Sequence, residues 1–248
     1  MSLNDSKDSI EQLYGDIILK NFQNYEVFWL KFIGNPKAER PEPYTYNYPQ
    51  TMRDEDKEVI QKRYARIQIT HYSIFCQLAG SHFQLEKLKA SENKEGNEKY
   101  FRHWEHFEVG YFHLGSVFYL LEVLWNVVIK LKAVSRHKFG KSFLISRNEN
   151  SLAQKLVKTQ ENVKTIRNLM VHRGRAFTSF SHKGKFYIPL TVNMNMLWSQ
   201  SIKTQEMIET SKKLEEDTLE TEKLINELHV LLINDYDEFI TTKNIQIS

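Results

Sequence analysis

Val117-Phe118-Tyr119-Leu120-Leu121-Glu122-Val123-Leu124-Trp125 is the stretch on which the fold turns. Read as a helix, it presents apolar side chains at nearly every azimuth, and a helix apolar all round belongs inside a bundle. Glu122 and Asn126 interrupt the run, which falls short of the ~20 apolar residues of a membrane span. The surrounding segment, from about residue 98 to 134, is the most apolar in the chain and is expected to be the central helix. Gly110, Gly115 and Ser116 lie on it. Each glycine costs a soluble helix ~1 kcal/mol relative to alanine, so close approach of a neighbouring helix is the expected reason for tolerating them.

Outward from this helix the period stays helical. Ile10, Leu13, Ile17, Phe22, Tyr25, Phe28, Trp29 and Phe32 recur three and four apart and predict a first helix over 8–33. Gly34-Asn35-Pro36 stops it. A Tyr/Pro-rich arm follows to about Gln50, with Tyr44, Tyr46 and Tyr48 alternating; residues before proline avoid helical angles. A second helix over about 53–90 opens on Asp54, Glu55, Asp56 and Glu58, as the macrodipole favours. Beyond the central helix, 136–150 is a basic connection. Ser151 caps a fourth helix with Leu152, Leu156, Val163, Ile166 and Met170 as its buried stripe, and Gly174 marks its end. At 176–191 the period changes, and Phe177–Phe180 and Lys185–Ile188 flank a His182-Lys183-Gly184 turn that reads as a β-hairpin. A last helix is expected from about 197 to 240. The prediction is a single all-α domain over 1–248: an up-down bundle of about five long helices with a small β-hairpin insert near 176–191.

Composition agrees. A chain of 248 residues buries roughly three quarters of its unfolded surface without staples. Nine glycines and five prolines are too few for a turn-rich β-sandwich. The single cysteine, Cys76, excludes an internal disulfide and cysteine-based zinc sites, and fits a reducing compartment. With no basic-then-apolar start, the expectation is a cytoplasmic protein with no membrane association.

Net charge is only +3, but it is unevenly spread. From Lys130 to Lys185 there are 14 Lys/Arg against two acids; from Lys203 to Ile240, 11 acids against four lysines. The basic segment suits a polyanion. Equally, the acidic last helix would lie against it and cancel it.

Several chemistries are missing. His103, His106 and His113 with Glu105 and Glu108 invite a metal reading. However, no histidine has Glu three residues before it, as helical di-iron sites require, and His-Glu-x-x-His is absent. No phosphate-binding glycine loop or nucleophile elbow occurs. Cys76 lies in the apolar run Ile74-Phe75-Cys76 and reads as core. No metal or other cofactor is expected.

What remains is Ile166-Arg167-Asn168-Leu169-Met170-Val171-His172-Arg173-Gly174-Arg175, at the end of the fourth helix. Arginine followed by histidine after four to six residues occurs three times: Arg66 to His71, Arg167 to His172 and Arg175 to His182. Only Arg167 is followed by a polar amide and leads to a helix end. An all-helical domain with this Arg-polar-x3-His pattern resembles the HEPN superfamily, over roughly residues 98–240. Ser116, Glu122 and Asn126 on the preceding helix add to the likeness. Residues 1–97, with the first two helices and the arm, look like an elaboration of a larger subgroup.

The resemblance implies a metal-independent endoribonuclease that leaves a 2′,3′-cyclic phosphate, working at a composite site across a homodimer. Arg167, Asn168 and His172 would be catalytic, while Lys164, Arg173 and Arg175 would grip the RNA backbone. Helix geometry sits well with a shared site. At 100° per residue Arg167 and His172 lie about 140° apart, so one helix does not aim both at one phosphate. Imidazole, with an ordinary pKa near ~6.5, suits proton transfer at a ribose 2′-hydroxyl. Arginine stays charged and braces the phosphate oxygens. The resemblance also implies a toxin–antitoxin or defence setting, with an antitoxin or nucleotidyltransferase partner. The alternative is a non-catalytic HEPN-like module that binds nucleic acid, nucleotide or protein, in which Arg167 pairs with an acid of the last helix and His172 caps its own helix end.

Overall fold

The computed structural model describes residues 12–18, 20–22, 24–32, 46–47, 49–93, 96–129, 151–172, 180–182, 185–189, 207–243 and 246–247. The chain is an all-α bundle with a small β-hairpin, as the hydrophobic period predicts. Its helices are α1 (Tyr25–Phe32), α2 (Asp54–Ser91), α3 (Gly96–Ile129), α4 (Ser151–His172) and α5 (Thr210–Lys243). Of these, α2, α3 and α5 are 38, 34 and 34 residues long.

Four features differ from the sequence expectation. The first helix is broken: residues 12–18 and 20–21 are helical, and α1 restarts at Tyr25 after a turn at Asn24. The break falls between Asn21 and Asn24. There the Asn21 side-chain amide donates to Glu222 at 3.0 Å, and its backbone carbonyl accepts from the Asn226 amide at 2.8 Å, a side-chain donor in place of a helical one. Second, the arm contributes a strand. Tyr46–Asn47 (β1) pairs antiparallel with Gln246–Ile247 (β5).

Third, the hairpin of Phe180–His182 (β2) and Lys185–Pro189 (β3) gains a third strand, Met207–Glu209 (β4), so α5 begins at Thr210 rather than near 197. Ile188 pairs with Ile208 in that ladder, a match of β-branched side chains that suits a pleated surface. Fourth, α3 is not enclosed on every side. Phe101, Phe112 and Tyr119 are exposed while Phe107, Tyr111, Leu114, Val117, Phe118, Leu121 and Leu124 are buried. The outward line follows spacings of eleven and seven residues, which keep these positions within ~20° of one azimuth. By length and composition, Glu98–Val128 would also pass as a membrane-crossing helix, but more than half of its most apolar window is buried within the protein.

Backbone contacts group the chain into two units. One comprises Met1–Tyr14, Gln77–Ser116 and Lys158–Thr221; the other comprises Gly15–Cys76, Val117–Val157 and Glu222–Ser248. In the first, α3 meets α2 and α5 closely. A Cβ on Gly80 would stand 2.7 Å from the His113 ring, and one on Gly110 would stand 2.7 Å from a Leu214 methyl. The three histidines of α3 line the α2 side. His103, His106 and His113 each turn Nδ1 to an α2 side chain: Ser91 at 3.1 Å, Gln84 at 2.8 Å and Gln77 at 2.7 Å. Toward α5, the buried Tyr111 hydroxyl donates to Asp217 at 2.6 Å, and Lys213 holds the other carboxylate oxygen at 2.5 Å. Burial and the Asp217 charge push the Tyr111 hydroxyl well above its ordinary pKa.

The second unit has an aromatic centre. Phe28 stacks on His71 and His229 at 4.5 and 4.6 Å between centroids. The two imidazoles face each other Nε2 to Nε2 at 3.3 Å.

Candidate functional site

The site is built on α4. Leu152, Leu156, Val163 and Ile166 of the stripe expected from the sequence are buried, as are Ala153 and Val157. Burying that stripe fixes the helix about its axis and leaves Lys158, Glu161, Lys164, Thr165, Arg167 and Asn168 exposed. Lys164 and Asn168, four apart, share one outer flank. Arg167, four residues beyond the buried Val163, continues the line of the stripe and reaches α3. Its Nη1 lies 3.3 Å, and its Cδ 3.7 Å, from where a Cβ on Gly115 would stand. The glycine therefore admits a guanidinium rather than a neighbouring backbone.

His172 is the last residue of α4. Its side chain, together with Met170, Arg173, Gly174 and Arg175, lies outside the described residues. Among the described residues Arg167, Lys164 and Lys158 make no ion pair, so the acidic last helix does not take up these cations. It does take others. Lys155 meets Glu227 at 2.8 Å, and Lys185 meets Glu209, just before α5, at 2.5 Å. Among the described residues the acidic segment thus takes up only part of the basic one, sparing Lys158, Lys164 and Arg167.

The polar residues of α3 that add to the family likeness serve their own helix. Ser116 donates to the Phe112 carbonyl at 2.9 Å, and Asn126 to the Glu122 carbonyl at 2.9 Å. Thr165 on α4 does the same to Glu161 at 2.8 Å.

Among the described residues no group of three or more His, Cys, Asp or Glu side chains is arranged to hold a metal ion. The α3 histidines illustrate why. His103 is buried, stacked on Phe186 at 3.9 Å, with Nε2 2.6 Å from the Thr210 hydroxyl. Burial, aided by His106 and Lys99, pushes it down to about 3, and burial also lowers His113. These rings tie α2, α3, the sheet and α5 together. Cys76 is half-buried, and burial raises its thiol, which keeps it protonated and unreactive.

No family model, curated protein or solved structure matches the chain.

Two features had no clear sequence signal. One is the exposed aromatic line of α3, hidden in a segment apolar at most positions. The other is the His71–His229 pair, whose members stand 158 residues apart.

Proposed function

We propose that this protein is a HEPN-like endoribonuclease acting on RNA at a composite site between two copies of the chain. The observation that supports the reading is the combination at the end of α4. Arg167 and Asn168 are exposed, Arg167 makes no ion pair among the described residues, and the histidine of the pattern, His172, is the final helical residue.

In the proposed reaction the ribose 2′-oxygen attacks the adjacent phosphorus. His172 takes the 2′-hydroxyl proton, and an imidazolium returns a proton to the departing 5′-oxygen. The products are a 2′,3′-cyclic phosphate and a 5′-hydroxyl end. Arg167 stabilises charge on the non-bridging oxygens; Asn168 orients the imidazole or holds the phosphate. Lys164, Arg173 and Arg175 hold the flanking backbone. An antitoxin or nucleotidyltransferase partner belongs to the same reading.

The test is cleavage of single-stranded or transfer RNA in EDTA by purified protein. His172→Ala should lower the rate by about 10²–10⁴-fold, the usual contribution of a general acid–base group, with an unchanged melting curve. Cleavage that survives this substitution sinks the enzyme assignment. Salt-sensitive binding without cleavage identifies a binding module instead.

A further inference from the structure

We propose that Phe112 is a base-stacking residue that holds a nucleotide of a single-stranded RNA beside Arg167. The inference rests on the ribonuclease reading and deepens it by naming a binding subsite. Phe112 is 57% exposed and Phe101 is 75% exposed. They are the two phenylalanines left open to solvent among the described residues. Gly115 lies one turn from Phe112, about 4.5 Å along the axis and 60° around it, and the Arg167 guanidinium rests against Gly115. The open aromatic ring and the exposed cation therefore belong to positions one helical turn apart on α3.

The charges favour RNA over a second protein surface. On α3, Glu105 and Glu108 lie between the two rings, and Glu105 pairs with Arg102 at 3.1 Å. With Tyr119, whose ring follows Phe112 by about 10 Å, the outward line holds three rings roughly 10–16 Å apart, the first two separated by carboxylates, which do not make the apolar, charge-depleted centre that a protein interface requires. Across the seam, α4 presents Lys164 and Arg167. A strand whose phosphates follow α4 and whose bases turn toward α3 meets cations with its backbone and a ring with a base face. Stacking on an aromatic face is tolerant of sequence, so this subsite adds affinity without dictating which base is held.

The test uses an uncleavable 2′-O-methyl oligoribonucleotide carrying 2-aminopurine, with binding read by anisotropy and stacking by quenching. Phe112→Ala should weaken binding about 5- to 150-fold and relieve the quenching, while Phe112→Tyr restores both. Because the ring is largely exposed, the melting curve and the sedimentation mass should not change. Equal binding by wild type and Phe112→Ala, with RNA cleavage intact, overturns the subsite and leaves the ribonuclease reading standing. A fall in sedimentation mass for Phe112→Ala overturns it in favour of a protein interface. Wild type that neither binds nor cuts RNA removes both readings.

Discussion

The guanidinium of Arg167 rests against Gly115 of the neighbouring helix, with Nη1 3.3 Å from the point a Cβ would occupy. A methyl there meets the far end of a flexible side chain, which yields by a few tenths of an ångström. Helix propensity then decides the sign, and Gly115→Ala should stabilise the fold by up to ~1 kcal/mol, raising Tm by about 2–4 °C in a chain of this size. Gly115→Leu should displace Arg167 and lower RNA cleavage while the protein stays folded. Unchanged cleavage in Gly115→Leu would show that this placement has no bearing on the chemistry.

Gly80 makes the opposite case on the α2 side of α3. A Cβ there would meet three ring atoms of His113 at 2.7–2.8 Å, and Gln77 pins that ring by its Nδ1. Here the obstructing group cannot swing away without breaking its hydrogen bond. Gly80→Ala should therefore destabilise the fold by about 1–3 kcal/mol despite the gain in propensity, seen as a lower denaturant midpoint. A midpoint at or above wild type would mean that the two helices separate freely.

Phe28 should dominate the stability of its unit. Its ring packs against His71 at 4.5 Å, His229 at 4.6 Å and Phe32 at 4.5 Å, the two imidazoles lying side by side. Truncation leaves a cavity in a fully buried aromatic centre, so Phe28→Ala should cost about 3–5 kcal/mol. Calorimetry that finds a loss below 1 kcal/mol would contradict the described packing.

How much of this was legible beforehand depends on which interactions are local. Helix α4 and its buried stripe from Leu152 to Ile166 could be read, because the apolar spacing and the Ser151 cap lie within the segment. The hairpin could be read from its change of period. The third strand, Met207–Glu209, could not, since three residues carry too little pattern and their partner lies 20 residues upstream. The break at Asn21–Asn24 was masked by an apolar period that continues through it. At the site, the exposure of Asn168 follows from its place opposite Ile166, whereas that of Arg167 does not, because it lies in line with the buried Leu156 and Val163. Nor could the contact of Arg167 with Gly115 be read, because it depends on how two helices are aligned. The exposed line of α3 was missed for a related reason: apolar character at every azimuth does not say which azimuth lacks a neighbour.

Acid should weaken the fold through the imidazole pair. His229 is pushed down to about 3 by burial, and His71 well below its ordinary value by burial and by His229. In the unfolded chain both titrate near ~6.5. Below that pH the unfolded state binds more protons than the folded one, so stability falls as pH falls. His229 then loses about 1 kcal/mol per pH unit from 6.5 toward 3, and His71 adds to the same acid limb. Chemical denaturation at stepped pH should show this slope, and His71→Leu/His229→Leu should make it shallower, leaving the share of His103 and His113. An acid limb unchanged in the double variant would place the proton-linked instability elsewhere.

Two lysines of α4 allow the charge argument to be checked without chemistry. Lys155 meets Glu227 at 2.8 and 3.1 Å, whereas Lys164 is exposed and makes no ion pair among the described residues. A cation that already neutralises a carboxylate has little left to offer a phosphate. One on an open face releases a counterion from the strand that it binds. For single strands, each phosphate contact contributes roughly 0.7 to the slope of log affinity against log salt. Lys164→Ala should therefore reduce that slope by about 0.7 and weaken binding by a similar factor for every RNA sequence. Lys155→Ala should leave the slope as it is. Since an exposed ion pair is worth under ~1 kcal/mol, both variants should melt close to wild type. Equal slopes in wild type and Lys164→Ala would show that the strand does not run along α4, and the assignment of phosphates to this helix would fall with it.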